Sequence, residues 1–380
     1  MIHNDIHGDR YMMEFIATCT LGLEGAPARE LKNMGYRIID SENGRIRFMA
    51  TVEDIPKLNM WMRSAERLLM VFGRFKAETF DDLFEGVFSL SWNDLIPREG
   101  KFPVVKVRSV RSKLFSISSI QSVVKKAIVE KLSYRHRIKI LPETGPEYPI
   151  HVYLKDNVVT IAVDTTGKNG LHKRGYRKKA VEAPLRETIA ASLVILSHWR
   201  YEETLIDPFC GSGTICIEAG MMACNIAPGL KRHFCSENWG IISKDKWKSE
   251  KDLARSSVRN KGYEIIGSDI DEKALEIAKI NAKSAGADIK FMRSSFDELK
   301  ATEPTGVIIT NPPYGARLKE SRKIHKDLRI LRKNFPGWKY HIISPFGNFE
   351  RMFGKKADKK FPFFNSGIKV FFYQFWRTAS

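Results

Sequence analysis

A chain of 380 residues has room for two or three domains with ample cores. Its 63 Lys and Arg against 44 Asp and Glu leave a formal charge of +19 and an isoelectric point near 9.6, which favours a polyanionic partner, most simply nucleic acid. No apolar run is long enough for a bilayer, residues 1–8 have no signal-peptide architecture, and five cysteines without a C-x-x-C pair support neither a disulfide framework nor a zinc site, so a cytoplasmic protein without a metal is expected.

In chain order, residues 14–20 read as a strand and 25–34 as a helix. Residues 36–39 and 45–49 read as a hairpin turned at Asn43-Gly44, 54–63 as a helix and 68–75 as extended. A second α+β stretch follows: the segment 79–89, residues 102–109, a helix over 119–132 and strands over 150–154 and 158–163. Its rims are basic, with Arg108, Arg111 and Lys113 before the helix and K-L-S-Y-R-H-R-I-K at 131–139 after it. Bases interleaved with an aromatic suit phosphate contacts plus stacking, although a solvated charged face is the alternative for any one residue. A denser cluster, His172, Lys173, Arg174, Tyr176, Arg177, Lys178 and Lys179, joins this half to the next and is expected to contact RNA.

An apolar-periodic helix over 183–196, with Pro184 in its first turn, leads into L-I-D-P-F-C-G-S-G-T at 205–214. Here an apolar strand breaks at Asp207-Pro208, passes Gly211 and Gly213, and enters a helical run over 215–222. A ligand at the carboxyl end of a parallel strand is the expectation. The third glycine of a dinucleotide turn and the lysine of a phosphate loop are both missing. Asp207 would repel phosphate but pair with an ammonium, a demand that S-adenosylmethionine meets. Cys210 reads as a small residue of the turn, because no general base is visible beside it to make it a nucleophile.

Residues 224–257 read as an insertion, which accounts for the distance to the strand end at Asp269, the expected ligand of the ribose hydroxyls. Asp271 is expected to cap the helix 272–284. A strand over 289–293 ends at Ser294-Ser295-Phe296-Asp297. The β-branched strand 306–310 runs into Asn311-Pro312-Pro313-Tyr314-Gly315, where two prolines fix a rigid turn. That corner offers the Asn311 amide oxygen and the Pro312 carbonyl as acceptors and the Tyr314 ring as a stacking surface, which suits a flat base with an exocyclic amine. Residues 339–344 form a fifth strand, and 361–364 with 369–375 a closing hairpin turned near Ser366-Gly367.

D-P-F-C-G-S-G-T followed by T-N-P-P-Y-G resembles class I S-adenosylmethionine-dependent methyltransferases that modify exocyclic nitrogens. With E-A-P-L-R-E-T-I-A-A at 182–191, L-H-K-R-G-Y-R at 171–177 and I-A-P-G-L-K-R at 226–232, the chain is similar to bacterial THUMP-domain RNA methyltransferases of the 23S rRNA guanine-N2 type. The resemblance implies an α/β fold: a class I methyltransferase domain over 167–380, Rossmann-like, with a seven-stranded sheet and an antiparallel closing strand. A ferredoxin-like module over 1–65 and a THUMP RNA-docking domain over 66–166 would precede it. It assigns the cofactor to Asp207, Phe209, Gly211, Gly213, Thr214 and Asp269. Phe296 would lie beside the adenine and Asp297 on its amine, since serine stands where the family generally has an acid. Methylation of tRNA guanine, of adenine N6 or of a protein glutamine would use the same proline corner, and a non-catalytic RNA-binding or ribosome-assembly protein would keep the same fold. The glycine spacing argues against a nucleotide-dependent oxidoreductase.

Overall fold

The computed structural model describes residues 12–179, 184–260, 262–314 and 318–376. Residues 1–8, the start of the expected 183–196 helix and Gly315 of the proline turn lie outside them. Two seven-stranded sheets organise the chain. The first comprises β1 (Met13–Thr18), β2 (Arg37–Glu42), β3 (Arg45–Ala50), β4 (Arg67–Lys76), β5 (Val104–Val110), β6 (Ile150–Lys155) and β7 (Val158–Asp164), in the order β2-β3-β1-β4-β7-β6-β5. Asn43 and Gly44 both take positive φ (52° and 75°), the backbone that a two-residue hairpin between β2 and β3 requires. β4 pairs with β1 on one side and β7 on the other, so both N-terminal modules hang on one ten-residue strand.

The second sheet comprises β8 (Thr204–Asp207), β9 (Ile265–Asp269), β10 (Lys290–Arg293), β11 (Gly306–Thr310), β12 (Lys339–Ser344), β13 (Lys359–Asn365) and β14 (Ile368–Phe375). Its order is β10-β9-β8-β11-β12-β14-β13. Every pairing from β10 to β12 is parallel, whereas β14 runs antiparallel to β12 and β13. This is the class I methyltransferase sheet, with its order reversing between β8 and β11. In such sheets the crevice for a ligand opens at the carboxyl ends of the strands flanking that reversal.

Two expected elements differ. The helix before β8 spans Glu187–Ser197, and Pro184 lies ahead of it rather than in its first turn, because residues 184–186 are not helical and the Leu185 carbonyl accepts from Arg177 Nη2 at 3.0 Å. The helix expected over 119–132 runs longer, Ile117–His136, with Ser116 as its cap and Arg137 leaving it in the left-handed region at φ 54°.

The insertion is structural. Phe234, Trp239, Ile242, Trp247 and Ala254 belong to the core beneath the first sheet, not to the methyltransferase core. Trp239 stacks on Tyr148 with centroids 4.9 Å apart and donates Nε1 to the Glu147 carbonyl at 2.9 Å, while Trp61 Nε1 donates to Glu250 at 2.8 Å. Among the described residues no helix is long and apolar enough to cross a membrane, and no group of three or more His, Cys, Asp and Glu could hold a metal.

Candidate active site

The carboxyl ends of β8, β9 and β11 converge on a cavity of about 490 Å³, a size usual for a small-molecule site. Residues 207–212, Thr214, Asp269, Ser295, Phe296, Asn311 and Pro313 contribute to its wall. A larger hollow of about 760 Å³, between Arg29, His198, Arg200 and Lys339, lies at the amino ends of the strands, the end of a doubly wound sheet that does not collect ligands.

Asp207 ends β8 and is 1% exposed. Thr310 Oγ1 donates to its Oδ1 at 2.8 Å and the Phe209 N–H at 3.2 Å, but no cation neighbours it among the described residues. Burial therefore dominates and lifts its pKa to about 7, with repulsion from Asp269 adding to the rise. An ammonium seated here would remove that penalty. Asp269, at the end of β9, accepts from the Gly211 N–H at 2.9 Å and the Asp271 N–H at 3.0 Å, so one carboxylate ties the glycine turn to the next loop. Asp271 caps the helix Glu272–Ala285 through the Lys273 N–H.

Gly211 and Gly213 have φ of 52° and 79°. A Cβ on Gly211 would meet nothing within 4 Å, leaving open space at the mouth of the turn, whereas one on Gly213 would stand 3.0 Å from the Phe291 ring and 3.1 Å from Ala278. Gly213 thus lets the helix Thr214–Ala223 approach its neighbours, and Gly211 leaves backbone bare toward a ligand. Phe209 and Phe296 stack with centroids 5.1 Å apart and give the cavity a flat apolar wall. Asp297 does not join it: the side chain is exposed and accepts from Ser295 Oγ, and Ser295 itself lines the cavity. Cys210 is buried and its thiol is pushed well up, the reverse of what a nucleophile needs.

At the proline corner Asn311 and Pro313 face the cavity and Pro312 is buried. Asn311 Oδ1 is buried with no hydrogen-bond partner among the described residues. Facing the cavity, this acceptor is open to a donor on a bound ligand. The Tyr314 ring packs against the methyltransferase core, and its hydroxyl accepts from Asn365 Nδ2 at 2.7 Å. The hydroxyl is therefore committed to β13, which the sequence does not show.

The basic cluster before the site divides in two. Arg174 is 2% exposed. Its guanidinium is spent on the Glu218 carboxylate (3.4 Å), the Leu171 carbonyl (2.7 Å) and the Arg63 carbonyl, so the expectation that it contacts RNA is corrected. Arg177 is corrected likewise. It donates to Glu187 at 2.8 Å, to the Leu185 carbonyl, to Thr214 Oγ1 at 3.1 Å and to Ser212 Oγ at 3.3 Å, which makes it a brace behind the glycine turn. Lys173 and Lys178 are exposed. Of the distal trio, Arg111 is paired with Asp156 and Lys113 with Glu78, while Arg108 has no carboxylate partner among the described residues.

Residues 174–373 match the RMKL-like, methyltransferase domain family. The chain is also 40% identical over 369 residues, 95% of either chain, to the putative RNA methyltransferase YpsC of Bacillus subtilis (strain 168). The chain belongs to the RMKL-like methyltransferase family. Ahead of the RMKL-like domain, residues 14–69 match the RlmL ferredoxin-like domain and 77–164 the THUMP domain. The ribosomal RNA large subunit methyltransferase K/L of Shewanella baltica (strain OS185) is 32% identical over 376 residues; they are 95% of this chain but 52% of that protein, so the chain spans about half its length. The crystal structure of SMU.472, a putative methyltransferase complexed with SAH, superposes with a TM-score of 0.90 at 37% identity, covering 98% of this RMKL-like chain and 100% of its own.

Proposed function

We propose that this RMKL-like methyltransferase transfers a methyl group from S-adenosylmethionine to the exocyclic N2 of a guanine in 23S ribosomal RNA. The observation that carries the reading is the orphaned Asn311 oxygen at a corner stiffened by two prolines, beside a buried, cation-seeking carboxylate. S-adenosylmethionine, when bound, supplies an electrophilic methyl on a cationic sulfur. Asp207 and Asp269 would hold its ammonium and ribose hydroxyls, with the Phe209–Phe296 pair against its adenine. The acceptor-rich, acid-lined wall with one flat apolar side fits those groups.

The chain's own work lies at the amine. A guanine N2 lone pair is delocalised into the ring, so positioning must supply much of the rate. Asn311 Oδ1 and the Pro312 carbonyl accept the two N–H bonds, which turns the lone pair toward the methyl group, and Tyr314 supports the base. The target nucleotide leaves its stack to reach this corner. Lys173 and Lys178, exposed on the segment that leads to the site, would hold phosphates beside it. The relatives named for RNA and the match to the THUMP domain support an RNA substrate over a protein glutamine. Single-turnover methylation of 23S rRNA from cells lacking the gene, read by nucleoside mass spectrometry, tests the assignment. N2-methylguanosine is the expected product, and N6-methyladenosine would transfer the site to adenine.

A further inference from the structure

β11 reads G-V-I-I-T, and its last residue is the polar exception. Thr310 is fully buried, where a hydroxyl needs an acceptor. It finds one across the sheet. The parallel ladder between β8 and β11 pairs Gly306 with Thr204, Val307 with Leu205 and Ile308 with Ile206, and stops there. Asp207 is still paired to Gly267 of β9 and Thr310 to Ile342 of β12. Backbone pairing therefore ends at the reversal in strand order, where the cavity opens. The Thr310 Oγ1 bond to Asp207 Oδ1, at 2.8 Å, ties the two strands beyond their last backbone pair.

The Phe209 N–H, the other donor to Asp207, also falls on Oδ1, at 3.2 Å. Among the described residues nothing donates to Oδ2, and Asp207 contributes to the cavity wall. Asp269 faces it from β9. Cys210 of the glycine turn and Cys216 of the helix Thr214–Ala223 lie near it, both thiols pushed well up by burial and so neutral. Burial raises the Asp207 pKa most. Against it the Thr310 hydroxyl lowers the pKa more than the Phe209 N–H does, and repulsion from Asp269 raises it further. Thr310 is thus the chief group that holds this carboxyl toward its charged form.

We propose that Thr310 is a positioning residue of the cofactor site, whose hydroxyl holds Asp207 Oδ1 across the unpaired strand ends and so keeps the carboxylate oriented, with Oδ2 left for the ammonium of S-adenosylmethionine. This role rests on Asp207 being the partner of that ammonium. It adds a group that acts on the cofactor only through another residue, from the strand that also carries the acceptor corner at Asn311. A threonine that merely fills the strand end would be replaced by valine at little cost to the ligand, and the two roles separate in the pH dependence of binding.

The test is calorimetry of S-adenosylhomocysteine binding to the full chain between about pH 5.5 and 8.5. Wild-type affinity should rise through a midpoint near 7 as Asp207 ionises. Thr310→Val keeps the β-branched shape and removes the donor. Because a hydrogen bond to a charged acceptor accounts for about tenfold or more in the ionisation equilibrium, the midpoint should move up by roughly one pH unit. Affinity should then fall about tenfold at pH 6 and return close to wild type at pH 8.5. Thr310→Ser, which retains the hydroxyl, should restore the wild-type midpoint, and Thr310→Ala gives the same reading as valine should the valine variant not fold. Asp207→Asn should weaken binding and abolish the midpoint, with no further effect of Thr310→Val in that background. A lowered melting temperature with an unmoved midpoint in Thr310→Val overturns the positioning role while leaving Asp207 at the ammonium. An Asp207→Asn protein with wild-type affinity and pH profile overturns both.

Discussion

Two residues at the cavity lack a partner that a bound ligand would supply, and each gives a signature in the free protein. Asn311 Oδ1 is an acceptor without a donor among the described residues, so Asn311→Ala should leave the thermal midpoint at or above the wild-type value. The same change should slow single-turnover methyl transfer about 100- to 1000-fold, the usual cost of one preorganised electrostatic contact. A wild-type rate in that variant would sink the proposed role. Asp207, lifted to about 7 by burial, is the second case. The folded state holds its proton more tightly than the unfolded chain, whose Asp titrates near 4. The free protein therefore loses stability from this group as pH rises from about 4 to about 7, and the loss is complete above that. Asp207→Asn should consequently stabilise the free protein at pH 8, by something on the order of 2 kcal/mol, raise its thermal midpoint and erase that part of the pH dependence. It should also weaken S-adenosylhomocysteine binding, and in the wild type that binding should strengthen between pH 6 and 8 as the carboxylate becomes available to the ammonium. Calorimetry at the two pH values checks both signs.

At the scale of elements, the site is a strand-turn-helix and a strand-turn, each held from behind by something the motifs do not contain. Arg177 reaches Ser212 and Thr214 of the glycine turn while anchored on Glu187, and Lys178 and Lys179 donate their backbone N–H groups to Asn281 on the helix that follows Asp269. Arg177→Met keeps the aliphatic stem and removes the fork. It should weaken S-adenosylhomocysteine binding about tenfold, Arg177→Lys should recover only part, and the RNA salt slope should not move; a slope reduced by one contact would return Arg177 to the RNA surface. The Tyr314 hydroxyl and Asn365 form a second brace. Tyr314→Phe and Asn365→Leu should each lower kcat several-fold and combine with no further loss, because either one breaks the same hydrogen bond.

The turns themselves were legible because their chemistry is local: glycines at positive φ, an acid ending a strand, two prolines in a row. Asn43-Gly44, Asp207, Asp269 and Asn311 all stand where those signals put them. The braces were not legible, since an arginine inside a run of lysines looks like surface whatever it packs against. A weak signal existed for Arg174: Glu218 interrupts the otherwise apolar T-I-C-I-E-A-G-M-M-A helix, and a carboxylate buried on such a helix calls for a buried cation. Asn365, in a hairpin strand 51 residues beyond Tyr314, had no such marker.

At the scale of the whole molecule, the insertion after the first cofactor helix lends its apolar side chains to the core of the N-terminal half, so the two halves share packing rather than a flexible tether. One close contact is at Gly229, whose N–H donates to the Met60 carbonyl at 2.9 Å. A Cβ there would stand 2.7 Å from Met60 Cα and 2.8 Å from the Asn59 carbonyl oxygen, both backbone atoms that no rotamer change can move. Gly229→Ala must therefore push the helix Ile55–Trp61 away from the methyltransferase half, at the roughly 1 to 3 kcal/mol typical of overpacking. The cofactor cavity is built wholly from residues 184–324 and should keep its affinity for S-adenosylhomocysteine. What should suffer is the register between the N-terminal sheet and the reacting corner, so methylation of long rRNA should fall well below wild type. The melting curve should broaden or split as the halves uncouple, and proteolysis should begin within residues 224–257. Scanning calorimetry with limited proteolysis would decide it: a single unshifted transition with wild-type methylation would mean that the halves need no fixed register and that the insertion serves only to fill a core.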